Sequence, residues 1–146
     1  MNWEAISTVS EIVGAIAVVI SLIYVATQIR QNTKMMRSGA KQSLTETTQN
    51  LIYKAIDNSE EWVKLTTGDE PATPEEDTRM SLLVRATLRG FESQCSHYEA
   101  GLLEEDEWYA LRTAIRDICA LPGFNKYWEQ LKPHMSERLK KVVDGG

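Results

Sequence analysis

The sequence predicts an all-α protein: an N-terminal transmembrane helix that continues into a long stalk helix and a small helical bundle. Three observations carry this. Ile12 to Ile29 contains no charged residue, the chain beyond it repeats apolar residues at helical spacing, and no stretch alternates in the manner of a strand. The 146 residues, 42% apolar and 25% charged, leave room for one anchoring element and a single further domain. They exclude a wholly disordered or collagen-like chain. A formal charge of -5 argues against a generic nucleic-acid binder, which needs a net basic face.

The charge-free run reads IVGAIAVVISLIYVATQI, 18 residues between Glu11 and Arg30. As a helix it covers about 27 Å, close to the ~30 Å hydrocarbon thickness of a bilayer. It is apolar on every side, unlike the helix of a small soluble core, which keeps a polar face. The leader MNWEAISTVSE holds two acids and no Lys or Arg, and no A-x-A site follows the run, which disfavours a cleavable signal. Arg30, Lys34, Arg37 and Lys41 come directly after it, with no acid until Glu46, whereas Glu4 and Glu11 precede it. The positive-inside rule then implies a single pass through the inner membrane, with the N-terminus outside and the bundle in the cytoplasm. The four cations would meet anionic headgroups at about 1 kcal/mol each, chiefly as a topology signal. Trp3 is placed as an interfacial anchor on the far side. The expected division is residues 1–41 for the span and its basic flank, and 42–146 for the bundle.

One face of the span is distinct. Ser10, Gly14, Ala17, Ser21, Tyr24 and Gln28 follow at spacings of 4, 3, 4, 3 and 4. Such a seam of small and polar residues lets transmembrane helices approach closely. Ile12, Val13, Ile16, Val19, Ile20 and Ile23 occupy the other faces and suit lipid.

No proline interrupts Gln28 to Asp57, so the helix is expected to run on from about residue 3 to 57, near 80 Å in all. Gln31 to Thr48 reads as polar all round, a solvated stalk or the interior of an oligomer. Leu44, Leu51, Ile52, Ala55 and Ile56 form an apolar stripe that needs covering. A short helix with Trp62 and Leu65 follows, then the loop TTGDEPATP. Thr73-Pro74-Glu75-Glu76 opens the next helix as N-cap, Pro at N1 and Glu at N3. That helix carries Met80, Leu83, Val84, Leu88, Phe91 and Cys95 on one broad face, and Gly101 is placed to end it. Another, about Glu104 to Ala120, presents Trp108, Leu111 and Ile115. Leu121-Pro122-Gly123 is read as a break, before a short helix with Phe124, Tyr127, Trp128 and Leu131 that stops ahead of Pro133. Ser136 caps a last helix with Leu139, Val142 and Val143.

Little here suggests chemistry. His97 would share a helix face with Ser93, Gln94, Ala100 and Gly101, and two histidines are too few for a zinc or di-iron site. Cys95 and Cys119 fall on apolar faces and form no CxxC pair. G-x-S-x-G, P-loop and G-x-G-x-x-G motifs are absent. Acidic runs at Glu75-Glu76-Asp77 and Glu104-Glu105-Asp106-Glu107 sit where helix dipoles favour negative charge. Glu92, mid-helix beside Phe91, is the polar residue of most interest, with Arg85, Arg89 or Arg116 as partners for a structural bridge.

Three segments, EIVGAIAVVISLIYVATQIRQNT (11–33), RGFESQCSHYEAGLLEEDEW (89–108) and LPGFNKYWEQLKPHMSERLKKVV (121–143), carry a resemblance. The chain resembles a set of small bacterial single-pass membrane proteins with a C-terminal cytoplasmic helical bundle and no established activity. The resemblance implies the architecture and supplies no catalytic residues. Where such proteins have Asp or Ser ahead of the helix after GLL, this chain has Glu104.

The function expected is therefore a non-enzymatic interaction or scaffold module, anchored in the lipid bilayer and forming a homo-oligomer through its span, with no cofactor, no metal and no nucleic-acid partner. Two alternatives stand beside it. An oligomeric pore could be lined by Ser10, Ser21, Thr27, Gln28, Gln31 and Asn32. An accessory subunit would instead pack its seam on another membrane protein.

Overall fold

A computed structural model describes residues 2–145, and the side chains of Glu4 and Ala5 lie outside that description. Six α-helices and one 3₁₀ turn are present, and no strand occurs among the described residues. The fold class is all-α. The chain forms two compact units, Met1–Ser38 and Gly39–Gly146.

The first unit is the leading part of α1 (Trp3–Asp57). Ser10, Ser21, Thr27 and Thr33 each donate their hydroxyl to the carbonyl four residues earlier, at 2.8–2.9 Å. Each hydroxyl proton is thereby satisfied within the helix, the requirement a polar group must meet to sit in hydrocarbon. This helix is long and apolar enough to cross a membrane, with a mean hydropathy of 2.3 over its most apolar window and none of that window buried.

The second unit begins with the rest of α1. The polar section is not solvated all round. Ala40 is buried, and Ser43, Leu44, Thr47 and Leu51 are half-buried on one side of the helix. The expected apolar stripe divides accordingly: Leu44, Leu51 and Ala55 pack inward, whereas Ile52 and Ile56 stay 54% and 64% exposed. Asn58 ends α1, and α2 (Ser59–Thr67) stops at Gly68, whose φ of 84° is the left-handed conformation glycine adopts without strain.

Helix α3 (Pro74–Glu99) starts as its sequence dictates. Glu76 donates its N–H to Thr73 Oγ1 at 3.2 Å, and the Glu76 carboxylate reaches back past the cap to accept from Ala72 N–H at 2.6 Å. Gly101, at φ 68°, turns the chain away after α3. Helix α4 (Glu105–Cys119) has Glu104 as its cap residue, and Glu107 accepts the Glu104 N–H at 2.9 Å. Helix α5 (Pro122–Leu131) includes two of the residues read as a break: Pro122 is its first residue and Gly123 lies in its first turn. The 3₁₀ turn Lys132–His134 follows, and α6 (Glu137–Asp144) is capped by Ser136, which accepts from Leu139 N–H at 3.4 Å.

The core is built where α3 meets α2, α5 and α6. Leu65, Val84, Leu88, Ile115, Phe124 and Leu139 have no exposed surface. Full burial of such a side chain contributes about 1.5–3 kcal/mol toward offsetting the conformational entropy of folding. Trp62 meets Phe124 edge-on with centroids 5.3 Å apart, and Tyr98 stacks on Trp108 at 4.2 Å.

Candidate functional site

On the first unit, Ser10, Gly14, Ala17, Ser21, Tyr24 and Gln28 all lie on α1 and are all exposed. At 100° per residue they fall within an arc of about 80°. A Cβ added at Gly14 would meet nothing within 4 Å. The seam is thus a shallow, bare strip on a helix whose other sides carry exposed Ile12, Val13, Ile16, Val19 and Ile23. The hydroxyl protons of Ser10 and Ser21 are spent inside the helix, so the strip offers a neighbour close packing at Gly14, Ala17 and the serines and polar groups at Tyr24 and Gln28. Thr27, Gln31 and Asn32, the remaining pore-lining candidates, are exposed as well.

The four cations separate. Arg30, Lys34 and Arg37 are exposed on the first unit and flank one shallow depression with Ile29 and Thr33. Lys41 belongs to the second unit. Its ammonium lies 3.0 Å from Glu107 and 3.4 Å from Glu104, and the hydrogen bonds it donates to those carboxylates, Glu107 first, raise its pKa. Lys41 thus pins the start of α4 to α1. The Glu104 N–H, followed by Lys41, holds the Glu107 carboxyl below the usual range.

Within the bundle, the polar groups act as ties. Glu92 is the staple for α6: one oxygen accepts Ser136 N–H at 2.6 Å, the other takes Arg89 at 2.6 Å. Burial pushes its carboxyl upward, but the Ser136 and Arg89 hydrogen bonds outweigh that and leave it lowered. Of the three arginines considered, Arg89 is the partner. Arg116 instead donates to Val142 O at 2.8 Å, satisfying a carbonyl near the end of α6. Tyr127 donates its buried hydroxyl to Asp77 at 2.6 Å.

Gln94 was not legible as a core residue from its polarity, yet it is fully buried. Its amide donates to Ser43 Oγ at 3.2 Å and Thr47 Oγ1 at 3.0 Å, and its carbonyl oxygen faces His97 Nδ1 at 3.4 Å. The available signal was its phase, three residues after Phe91 and four before Tyr98 on the apolar face. Beside this contact, Thr47, Leu51, Lys54, Thr87 and Phe91 line much of a groove of about 120 Å3.

Cys95 and Cys119 are buried, and desolvation pushes their thiols up to about 11 and about 12. Neither is poised as a nucleophile. Among the described residues, no group of three or more His, Cys, Asp or Glu side chains is placed to hold a metal ion. No family model matches the chain, nor does any curated protein or solved structure.

Proposed function

We propose that the chain is a non-enzymatic, membrane-anchored helical module that self-associates through its span. The reading makes it a single-pass protein of the inner membrane with its bundle in the cytoplasm, akin to the small bacterial proteins it resembles. The observation that carries it is the uncharged, exposed strip of small residues Ser10, Gly14, Ala17 and Ser21, continued by Tyr24 and Gln28, on a helix otherwise suited to lipid. The orientation rests on Arg30, Lys34 and Arg37, which are exposed directly after the apolar run. The bundle's polar side chains are used in holding helices together, which supports an interaction role over catalysis.

The test is the mass of the detergent-solubilised protein. An oligomer that Gly14→Leu or Ser21→Leu reduces to monomer is the expected result. A monomer in both wild type and variants would remove the self-association reading. A stoichiometric foreign subunit on the seam would replace it with the accessory-subunit reading.

A further inference from the structure

Helices α1 and α3 approach closely at one point and leave a groove beside it. Gly90 permits the approach, since a Cβ there would lie 3.1 Å from Thr47 Cγ2, and Gln94 ties the same turn of α1 by donating to Thr47 Oγ1 at 3.0 Å. The groove encloses about 120 Å3 and lies wholly within the second unit.

Its two sides differ in chemistry. The α3 side is apolar: Gly90 and the buried ring of Phe91 line it, and Thr87 spends its hydroxyl on the Leu83 carbonyl at 2.9 Å. Helix α1 adds Leu51 to that lining, and then an amide at Asn50 and an ammonium at the half-buried Lys54. Asn50 and Lys54 are one turn apart and share a side of the helix. Neither side chain has a hydrogen-bond or ion-pair partner among the described residues. No Asp or Glu lines the groove. Elsewhere in the bundle, clefts that hold cations hold acids as well: Lys132 lies 2.8 Å from Asp144, Lys140 2.7 Å from Glu137 and Arg138 3.0 Å from Glu99.

We infer that this groove is a binding site for a small amphiphilic monocarboxylate, its carboxylate held by Lys54 and Asn50 and its apolar body laid between Leu51, Gly90 and Phe91. A cation with no acid of its own chain beside it is complementary to an external anion, and a charge-assisted hydrogen bond to a carboxylate is stronger than a neutral one. The apolar wall selects an anion that carries hydrocarbon, because inorganic phosphate would leave Leu51 and Phe91 uncovered. The volume sets the size. An apolar cavity of about 150 Å3 takes benzene, so about 120 Å3 suits a body of roughly four or five carbons. The site stands apart from the self-association proposed for the span and needs no second copy.

The experiment titrates the full chain, solubilised in detergent, with isovalerate and follows its amide signals by NMR. Saturable shifts at Leu51, Gly90 and Phe91 are expected. Lys54→Gln should raise the apparent Kd roughly five- to ten-fold, the loss expected for one charged hydrogen bond, while unchanged signals elsewhere show that the variant folds. Isovaleramide keeps the shape without the charge and should weaken by a similar factor, and acetate, which lacks the apolar body, should not saturate these signals. Ala86→Leu enlarges an exposed side chain that lines the groove and should abolish the shifts. Equal affinity for isovalerate and isovaleramide overturns the anion site, and acetate binding as tightly as isovalerate overturns the apolar half. Isovalerate binding that neither Lys54→Gln nor Ala86→Leu alters lies elsewhere and overturns the proposal, as does the absence of any saturable shift at Leu51, Gly90 and Phe91. Each outcome reads the same for a monomer and an oligomer, so it is independent of the mass measurement that tests the span.

Discussion

Gly123 lies against the backbone of Leu65 so closely that a Cβ at position 123 would sit 2.6 Å from Leu65 Cα and 2.7 Å from its carbonyl oxygen. Helices α2 and α5 cross there with no room for a side chain. The opposing atoms are backbone, so they cannot rotate away as a long side chain would. The contact also places Phe124 where Trp62 meets it edge-on.

Gly123→Ala is therefore expected to destabilise the bundle by roughly 1–3 kcal/mol, the usual range for overpacking, and to lower its Tm by several degrees. Gly39→Ala is the matched control. It lies inside α1 with nothing within 4 Å of the added carbon, and removing a helical glycine stabilises by about 0.5–1 kcal/mol. Thermal unfolding of the two variants in mild detergent, followed by circular dichroism, should move in opposite directions. A Gly123→Ala protein as stable as wild type would show that the crossing is looser than described.

Acid should loosen α6 through Glu92. Its carboxyl is lowered in the folded state from an ordinary value of 4.5. A depressed carboxyl contributes stability that is fully present above the unfolded value and is lost as pH falls through the folded one. The loss is therefore expected below about pH 4.5, as protonation weakens the bonds to Ser136 N–H and Arg89. Glu92→Gln keeps the shape and an acceptor but not the charge. It should be less stable at pH 7 by roughly 1–2 kcal/mol and fall less steeply between pH 5 and 3. Parallel acid limbs for the two proteins would remove Glu92 from this role.

The features legible in the sequence are those decided within one helical turn. Thr73, Pro74 and Glu76 announce α3, Gly101 ends it, and Ser136 opens α6, because caps and left-handed stops depend only on nearby backbone groups. What escaped depends on a partner distant in sequence. Leu121-Pro122-Gly123 marks the break between α4 and α5, but the close approach of Leu65 that leaves no room for a side chain at position 123 is visible only in the fold. Lys41 reads as one more cation beside the span, since its ties to Glu104 and Glu107 cross more than sixty residues. Spacing alone could not divide Leu44 and Leu51, which pack inward, from Ile52 and Ile56, which do not.

Neither cysteine should react in the folded protein. Cys95 and Cys119 are 2% exposed, and burial raises their thiols to about 11 and about 12, so almost no thiolate exists at neutral pH. Incubation with a maleimide at pH 7 is expected to add nothing to the native mass, whereas the same treatment in guanidinium should add two labels. Rapid native labelling of either thiol would mean that α3 or α4 opens locally.

Gln94 joins α3 to α1, and its contribution can be separated from simple packing. Its amide donates to Ser43 and Thr47, and a neighbouring glycine, Gly90, brings the helices close: a Cβ there would lie 3.1 Å from Thr47 Cγ2. Gln94→Ala removes buried volume and strands both hydroxyls, so a cost of about 2–3 kcal/mol is expected. Thr47→Val keeps the size but removes one acceptor, leaving a buried amide proton dependent on Ser43 alone, at about 1 kcal/mol. The two changes share one hydrogen bond, so their effects should not add. A double-mutant cycle is expected to show a coupling of roughly 0.5–1 kcal/mol. Additive effects would mean that the helices are held by Leu44 and Leu51 packing alone, with the amide tolerated but not used.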